Sequence, residues 1–431
     1  MPFSVVKSPL LITTLSCILS FACNAQTPYV VCDHGFGSFK STSSTGVTVS
    51  VGAAKNNGFA ERTCQATLTW NKQELVVEPA ASQVDVDVMG ADLGLGSPVV
   101  SFQIRKDAAD PRIKYEIYSL AKPPRLLRTI TGEAFFSAAD TLLNGRVEIW
   151  TTDAGAVNGF EGLPIDALDL PPTVVLRFGK KRLVDVSSEF SSYFDEQIAR
   201  LRTQLTAKQL SDFKNSDGRL SSATPLSPDP LRQLVTTKIK VLEIVWSYLY
   251  SGRTQDAEKA LADMWPPADL ARIRASILSA QARGIRAEVD AVSQQRPATI
   301  HRRQEYIYQY LKHDAGGTAP GVPDQDPNHT MASALGLGSH VAAEKRALEI
   351  DSFPTPILLR RQPSPQGTPI PLGPEYVYLV VDEAGKVRSA TMTGTPDKEL
   401  LQAAQAWKFI PAFKDGVPVA SRMEFDVNNY R

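Results

Sequence analysis

The hydrophobic and polar positions along the chain divide it into a region with a two-residue period and a later region with a helical period. Between residues 28 and about 186, short runs alternate apolar and polar side chains, with turn residues between them. A period of two is typical of strands that bury one face. The runs that predict strands are 47–51, 66–70, 84–88, 99–104, 115–118, 147–150 and 173–178. They predict an all-β domain over residues 26–187, built as a sandwich or a partial propeller.

From about residue 188 the apolar positions follow a helical period. Phe190, Phe194, Ile198 and Leu201 fall on one face of a helix. Another helix is predicted from Pro267 to about residue 292. We therefore expect a helical domain over residues 188–314.

A helical hairpin is predicted around Gly252. Segment 230–252 is apolar and helix-forming, and a second helix follows it to Met264. Tyr248, Gly252 and Ala257 stand at the spacing at which small residues let two helices pack closely, and the stretch resembles a single tetratricopeptide-type hairpin. A solenoid needs several repeats, and the sequence shows one. We interpret the hairpin as helix packing, with a peptide-binding groove as the alternative.

The end of the chain alternates again. Residues 315–373 are rich in Pro and Gly, which favours an extended linker. After it, run 376–381 predicts a strand, Gly385 a turn, and 387–393 a second strand. A helix with an apolar stripe follows, and the chain closes with a strictly alternating strand over 419–427. The fold class expected for the whole chain is multidomain α+β: an all-β domain, a central helical hairpin region and a small antiparallel sheet packed on a helix.

Residues 374–431 resemble the C-terminal domain of TonB proteins. The distinctive run is Trp407-Lys-Phe409-Ile-Pro411-Ala, followed by Asp415-Gly416-Val-Pro418-Val. The resemblance implies that an extended segment of a partner is bound by addition to an edge strand. The partner it implies is an envelope protein, such as a segment of an outer-membrane receptor. The edge-strand residues that we single out are Val419, Ser421, Arg422, Met423, Glu424, Phe425 and Val427.

The N-terminus predicts export. An apolar stretch over 10–22 follows Lys7 and is too short to cross a bilayer comfortably, as in a secretion signal. We expect cleavage after Ala25 and a periplasmic protein. The alternatives are a lipid anchor on Cys23, whose flanking residues fit a lipoprotein signal poorly, and an uncleaved anchor.

Cleavage at Ala25 would leave two cysteines, Cys32 and Cys64. In an exported protein such a pair predicts a disulfide. Two buried free thiols are the alternative.

One loop carries candidate chemistry. Asp140, Asn144, Gly145 and Glu148 surround a turn that runs into a strand, and the stretch 136–150 is similar to the Asp-Gly loops of FG-GAP repeats. Calcium needs six to eight oxygen ligands, and Leu142 and Leu143 stand where another would be expected. We interpret the loop as a structural turn, with calcium binding as the alternative.

Composition adds mainly exclusions. The 431 residues carry 46 basic and 46 acidic side chains, so nothing in the charge indicates a nucleic-acid partner. With five His and four Cys, we expect no tightly bound metal and no cofactor. Catalytic motifs for metalloproteases, serine hydrolases or phosphate binding are missing from the sequence. The sequence thus predicts a non-enzymatic binding or accessory protein of the cell envelope. A structural envelope protein, or an enzyme with a site in the β domain, are the alternatives.

Overall fold

The structure is a computed structural model that describes residues 29–54, 62–110, 112–133, 135–142, 144–220, 227–292, 352, 354–356, 376–392 and 398–426. The predicted signal peptide, Cys23 and most of the Pro/Gly-rich segment lie outside the described residues. Within the described part of the chain, no helix is long and apolar enough to cross a membrane.

Two antiparallel sheets face each other in the N-terminal region. The first has the strand order β1 (Tyr29–Asp33), β6 (Gln83–Met89), β7 (Val99–Arg105), β8 (Ile113–Ser119) and β9 (Arg125–Glu133). The second has the order β2 (Phe39–Thr42), β3 (Thr48–Ala53), β4 (Cys64–Trp70) and β5 (Gln73–Ala81). Val49 and Leu68 of the second sheet share one apolar core with Val84 and Phe102 of the first.

A third sheet covers the other face of the first. Its strands are β10 (Phe136–Ala139), β11 (Glu148–Thr152), β12 (Thr173–Gly179), β13 (Arg182–Asp185) and β14 (Ala291–Val292), in that order. On β8, Ile113, Tyr115 and Ile117 belong to the core on this side, whereas Tyr118 belongs to the core shared with the second sheet. The first sheet is therefore a middle layer, so its strands are buried on both faces. All seven stretches predicted as strands are strands in the structure.

The helices complete the core of the third sheet. They are α1 (Ala154–Val157), α2 (Ser191–Thr203), α3 (Ala207–Lys214), α4 (Pro228–Tyr250), α5 (Thr254–Met264) and α6 (Leu270–Arg283). Trp150 and Leu176 of the sheet lie in the same apolar core as Ile198 of α2 and Val241 of α4. The helical hairpin around Gly252 is formed by α4 and α5. A Cβ on Gly252, whose φ is +81°, would lie against Ser188.

The helix predicted to reach residue 292 ends at Arg283 instead. Gly284 follows it, and a Cβ there would collide with the carboxylate of Asp153. That carboxylate accepts hydrogen bonds from the amides of Ala156 and Ile285 and from the Tyr250 hydroxyl. Because Gly284 has no side chain, the buried Asp153 carboxylate can approach the backbone there and bind the Ile285 amide at the end of the helix. The chain then continues into the short strand β14.

The C-terminal unit has its own sheet and helix. Its elements are β15 (Thr355–Pro356), β16 (Tyr376–Val381), β17 (Val387–Met392), α7 (Lys398–Gln405), β18 (Phe409–Ile410), β19 (Ala412–Lys414), β20 (Val417–Val419) and β21 (Ser421–Asp426). The main sheet has the order β17-β16-β21 and is antiparallel. Val377, Leu379 and Val381 alternate into a core with Leu400 and Ala404 of α7. The chain as a whole is therefore a mixed α+β fold with several antiparallel sheets.

The final strand differs from its prediction in one respect. Val419 pairs with Ala412 in the β19–β20 hairpin, whereas Ser421 pairs with Val381 in the main sheet. Ala420 lies between these two pairings, so one alternating run forms two strands. Val427 lies outside the described residues.

Candidate functional site

Strand β21 lies at one edge of the C-terminal sheet among the described strands. Its pairing with β16 is continuous, from Ser421 opposite Val381 to Asp426 opposite Tyr376. Strand β16 is central and β17 forms the other edge. An edge strand is the position at which a sheet can accept an additional strand.

The structure brings together five of the seven edge-strand residues that were singled out. Ser421, Arg422, Met423, Glu424 and Phe425 lie on β21. Of these, Ser421 is buried, Met423 packs against the core beneath α7, and Arg422 and Glu424 are exposed. Val419, which is 8% exposed, belongs to the hairpin instead.

The outer face of the sheet is amphipathic. Arg422 lies opposite Val380, and Glu424 lies opposite Tyr378. Partial burial raises the pKa of the Tyr378 hydroxyl, and the negative charge of Glu424 raises it further. A polypeptide on this face would therefore meet an aromatic ring and two side chains of opposite charge.

A tight turn fixes the start of this sheet. The Asp382 carboxylate accepts hydrogen bonds from the amides of Ala384 at 3.0 Å and Lys386 at 2.8 Å. Gly385 has a φ of +75°, and a Cβ there would overlap the carbonyl oxygen of Phe409. The Phe409 amide donates to the Gly385 carbonyl at 2.8 Å. Gly385 was predicted as a turn residue, but this close approach was not.

The β19–β20 hairpin docks the unit on the rest of the protein. Phe413 is fully buried, with its ring 6.0 Å from that of Trp150 and 5.8 Å from that of Phe190. On α2, the Ser192 hydroxyl donates to the Gly416 carbonyl at 2.6 Å. These contacts place the C-terminal unit directly against the third sheet and α2.

The end of the predicted linker takes part in this docking. The amide of Ser352 donates to the Phe413 carbonyl at 3.1 Å, and the Phe413 amide donates to the Ser352 hydroxyl. Strand β15 pairs with β18. This part of the chain is therefore built into the C-terminal unit.

Three cationic residues where the C-terminal unit contacts α2 were not predicted from the sequence. Lys386 of the turn is bridged to Lys408 before β18, and Arg200 of α2 lies near enough for its charge to act on Lys386, although the three are far apart in the sequence. The pairing of Lys386 with Lys408 in an isolated antiparallel bridge depends on the tertiary fold. Lys408 lies within the TonB-like run and Lys386 within the stretch that resembles the family, but nothing in that pattern indicates that either lies near Arg200.

The predicted disulfide is present. Cys32 on β1 and Cys64 on β4 are bonded, with their Cα atoms 5.8 Å apart. Both residues are fully buried in the core between the first two sheets. The bond therefore ties one sheet of the sandwich to the other.

In the candidate calcium loop, the carboxylate oxygens bind groups of the protein itself. The Asp140 carboxylate accepts hydrogen bonds from the amides of Asn144 at 2.9 Å and Gly145 at 2.7 Å. Glu148 is buried and binds the Arg177 guanidinium at 2.8 Å, and the same guanidinium binds Glu189. Within the described ranges, no group of three or more His, Cys, Asp or Glu side chains is arranged to hold a metal ion. These contacts favour the structural turn.

Comparison with protein-family models, with curated proteins and with solved structures found no match for this chain.

Proposed function

We propose that the protein is an exported, non-enzymatic binding protein of the cell envelope, and that its C-terminal unit binds an extended segment of a partner as an added strand beside β21. The observation that carries this proposal is the position of β21 at the sheet edge, in continuous register with β16. Strand addition supplies affinity through backbone hydrogen bonds and specificity through alternate side chains.

The alternation on β21 defines what an added strand would meet. One face offers Met423 beside the core under α7, and the other offers Arg422 and Glu424. A partner segment with an apolar side chain on the first face and charged residues on the second would match both. Since cross-strand charge pairs contribute about 0.2–1 kcal/mol each, the charges select the register more than they set the affinity.

Docking of the unit supports a binding role. The buried ring of Phe413 and the Ser192–Gly416 hydrogen bond fix the unit on the body of the protein. A surface that is already ordered loses less conformational entropy when a partner binds. Most of the conformational entropy lost on binding would then come from the partner segment.

The TonB-like motif supports an envelope partner, and the buried Cys32–Cys64 bond supports an oxidising compartment. We therefore propose an accessory role in outer-membrane transport. The intact mass of the native protein tests export: a chain starting at Gln26 in the periplasmic fraction is expected, whereas an acylated Cys23 would place it on a membrane.

A peptide titration tests strand addition. Synthetic peptides from the N-terminal extensions of outer-membrane receptors are titrated into the full chain by calorimetry. The binding peptide is then N-methylated at one residue at a time. Because alternate residues of an added strand point their amides at the edge strand, every second N-methyl group should abolish binding and the intervening ones should leave it within about threefold.

Two variants of the protein complete the test. Met423→Pro should abolish binding, because proline removes a backbone donor and disrupts an interior strand position. Arg422→Glu keeps the backbone and changes only an exposed side chain, so it should alter which charged peptides are preferred. Affinity that is unchanged in Met423→Pro, together with a methylation scan without a two-residue period, would overturn the proposal.

A further inference from the structure

Three cationic side chains from separate parts of the chain meet where the C-terminal unit contacts the helices. Lys386 and Lys408 are cross-strand partners in an isolated antiparallel bridge, so their side chains leave the backbone on the same side. Like charges directly opposite each other are destabilising. The Lys408 ammonium reaches across to the main-chain carbonyl of Asp169 at 3.4 Å.

Arg200 is the third cation, and it comes from α2 on the other side of the junction. All three of its guanidinium nitrogens are shielded from solvent, and none makes a hydrogen bond to the described residues. A guanidinium carries five N–H donors and cannot give up its charge. Shielding such a group without acceptors is costly, so the arrangement favours an anion beside it.

Gln197, one turn before Arg200, adds a second polar group at the same place. It is 3% exposed, and its amide nitrogen donates to the Ala384 carbonyl of the turn at 3.5 Å. Within the described part of the chain its side-chain oxygen has no donor. The junction therefore holds shielded polar atoms of two side chains, half-buried Arg200 and buried Gln197, whose hydrogen-bonding capacity the described residues do not satisfy.

The local electrostatics agree with an excess of positive charge. Partial burial lowers the pKa of the Lys386 ammonium, and the charges of Arg200 and Lys408 lower it further against the opposing effects of Asp169 and Asp382. Two buried carboxylates lie near the junction, Asp382 and Glu243. Asp382 of the turn pairs with Arg388 at 2.8 Å. Burial raises the pKa of Glu243 on α4 to about 7, so near neutral pH Glu243 supplies only part of a counter-charge.

We propose that this junction binds a small oxyanion, with Arg200 contributing from the body of the protein and Lys386 and Lys408 from the C-terminal unit. A planar guanidinium can hold two oxygens of one phosphate or carboxylate, and the two lysines add flexible point charges. The lysines are exposed, which leaves the anion a route from solvent. A bound anion would also fasten the C-terminal unit to α2. This site is separate from the edge of β21, so it does not depend on the proposed strand addition.

Thermal unfolding of the full chain tests the proposal. The melting temperature is measured in sodium phosphate and in sodium acetate, each against sodium chloride of equal ionic strength. Wild type should show a saturable rise of about 2–4 °C in phosphate, because a ligand bound only by the folded state stabilises it. A rise in acetate as well would extend the site to carboxylates. Competition by O-phosphoserine distinguishes a phosphoryl group on a larger molecule from free inorganic phosphate.

The variants use exposed lysines so that folding is retained. The Lys386→Met/Lys408→Met double variant should lose the phosphate-dependent rise, whereas Lys398→Met, an exposed lysine on α7, should keep it. Glu243→Gln should keep or increase the rise, because it removes the competing internal counter-charge. No rise in wild type beyond that in chloride, or an equal rise in the double variant, would overturn the site. A fall in the stability of Glu243→Gln with no phosphate effect in wild type would show that Glu243 alone balances Arg200.

Discussion

The ring of Phe413 lies 6.0 Å from the ring of Trp150, and this contact joins the last hairpin of the chain to the third sheet. Phe413 is fully buried, and its ring also packs edge-on against Phe190. The C-terminal unit therefore contributes directly to the main core. Its stability and that of the body should be coupled.

The first prediction concerns this aromatic anchor. Phe413→Ala should lower the free energy of unfolding by about 3–5 kcal/mol, because it leaves a cavity in a packed core. Urea denaturation measures the change. Phe36→Ala is the control, since that ring is 61% exposed, with the Arg62 guanidinium over its face at 5.0 Å from the centroid. Equal, small effects of the two variants would show that the hairpin does not anchor the unit.

The second prediction separates backbone strain from steric overlap. Gly385 and Gly162 both have a φ of +75°, but a Cβ at Gly162 would meet no atom within 4 Å. Gly162→Ala should therefore cost about 1–2 kcal/mol from backbone strain alone. Gly385→Ala should cost clearly more, because its methyl group would push against the Phe409 carbonyl. Denaturation midpoints compare the two, and equal losses would contradict the close approach.

The third prediction concerns the disulfide. The Cys32–Cys64 bond closes a loop with a sequence separation of 32 and ties two sheets together. Its loss in Cys32→Ala/Cys64→Ala should lower the free energy of unfolding by about 3 to 4 kcal/mol. Intact mass should rise by about 2 Da when the unfolded wild type is reduced, because each sulfur gains one hydrogen. An unchanged mass would show two free thiols.

The fourth prediction concerns pH. Asp87 is buried between sheets, where it accepts hydrogen bonds from the Tyr115 hydroxyl at 2.6 Å and the Ala138 amide at 3.1 Å. Burial raises the pKa of its carboxyl from 3.8 to about 7 despite these bonds. The protonated form is thus favoured in the folded state. The resulting stability is present below pH 4 and is lost as the pH rises towards 7.

Asp87→Asn should remove this contribution, which is about 4 kcal/mol across that range. The variant should therefore lose less stability than wild type between pH 4 and pH 7 in urea denaturation. Asp110→Asn is the contrasting control, because hydrogen bonds from Arg112 lower the pKa of Asp110. The Asp110 carboxylate stabilises the fold at pH values above its unfolded pKa, and this stability is lost as the pH falls. Asp110→Asn should therefore make the free energy of unfolding depend less on pH in the acidic range. Parallel pH profiles for wild type and Asp87→Asn would refute the assignment.

Local pattern was enough to predict the seven strands and the turn at Gly385, because alternation and glycine act over a few residues. Local pattern could not predict that the first sheet lies between the other two. Ile117 and Tyr118 face two different cores, which only the packing of three sheets determines. Likewise, Val419 and Ser421 belong to one alternating run, and their separation at Ala420 follows from two long-range pairings.

The candidate sites show the same limit. Strand β21 could be predicted because its alternation and the TonB-like motif are local. The Arg200–Lys386–Lys408 group could not, since its members come together only when the turn docks on α2. Glu148 was considered as a calcium ligand, but in the structure its carboxylate accepts a hydrogen bond from Arg177, which is 29 residues away in the sequence.

Amide hydrogen exchange of the full chain, with and without a bound receptor-extension peptide, tests the central proposal most directly. Residue-resolved exchange should show new protection on β21, at alternate amides between Ser421 and Asp426, and no change on β17. Alternation is expected because every second amide of an edge strand points away from its neighbour in the sheet. New protection confined to other elements, or a bound peptide that leaves β21 unchanged, would contradict strand addition.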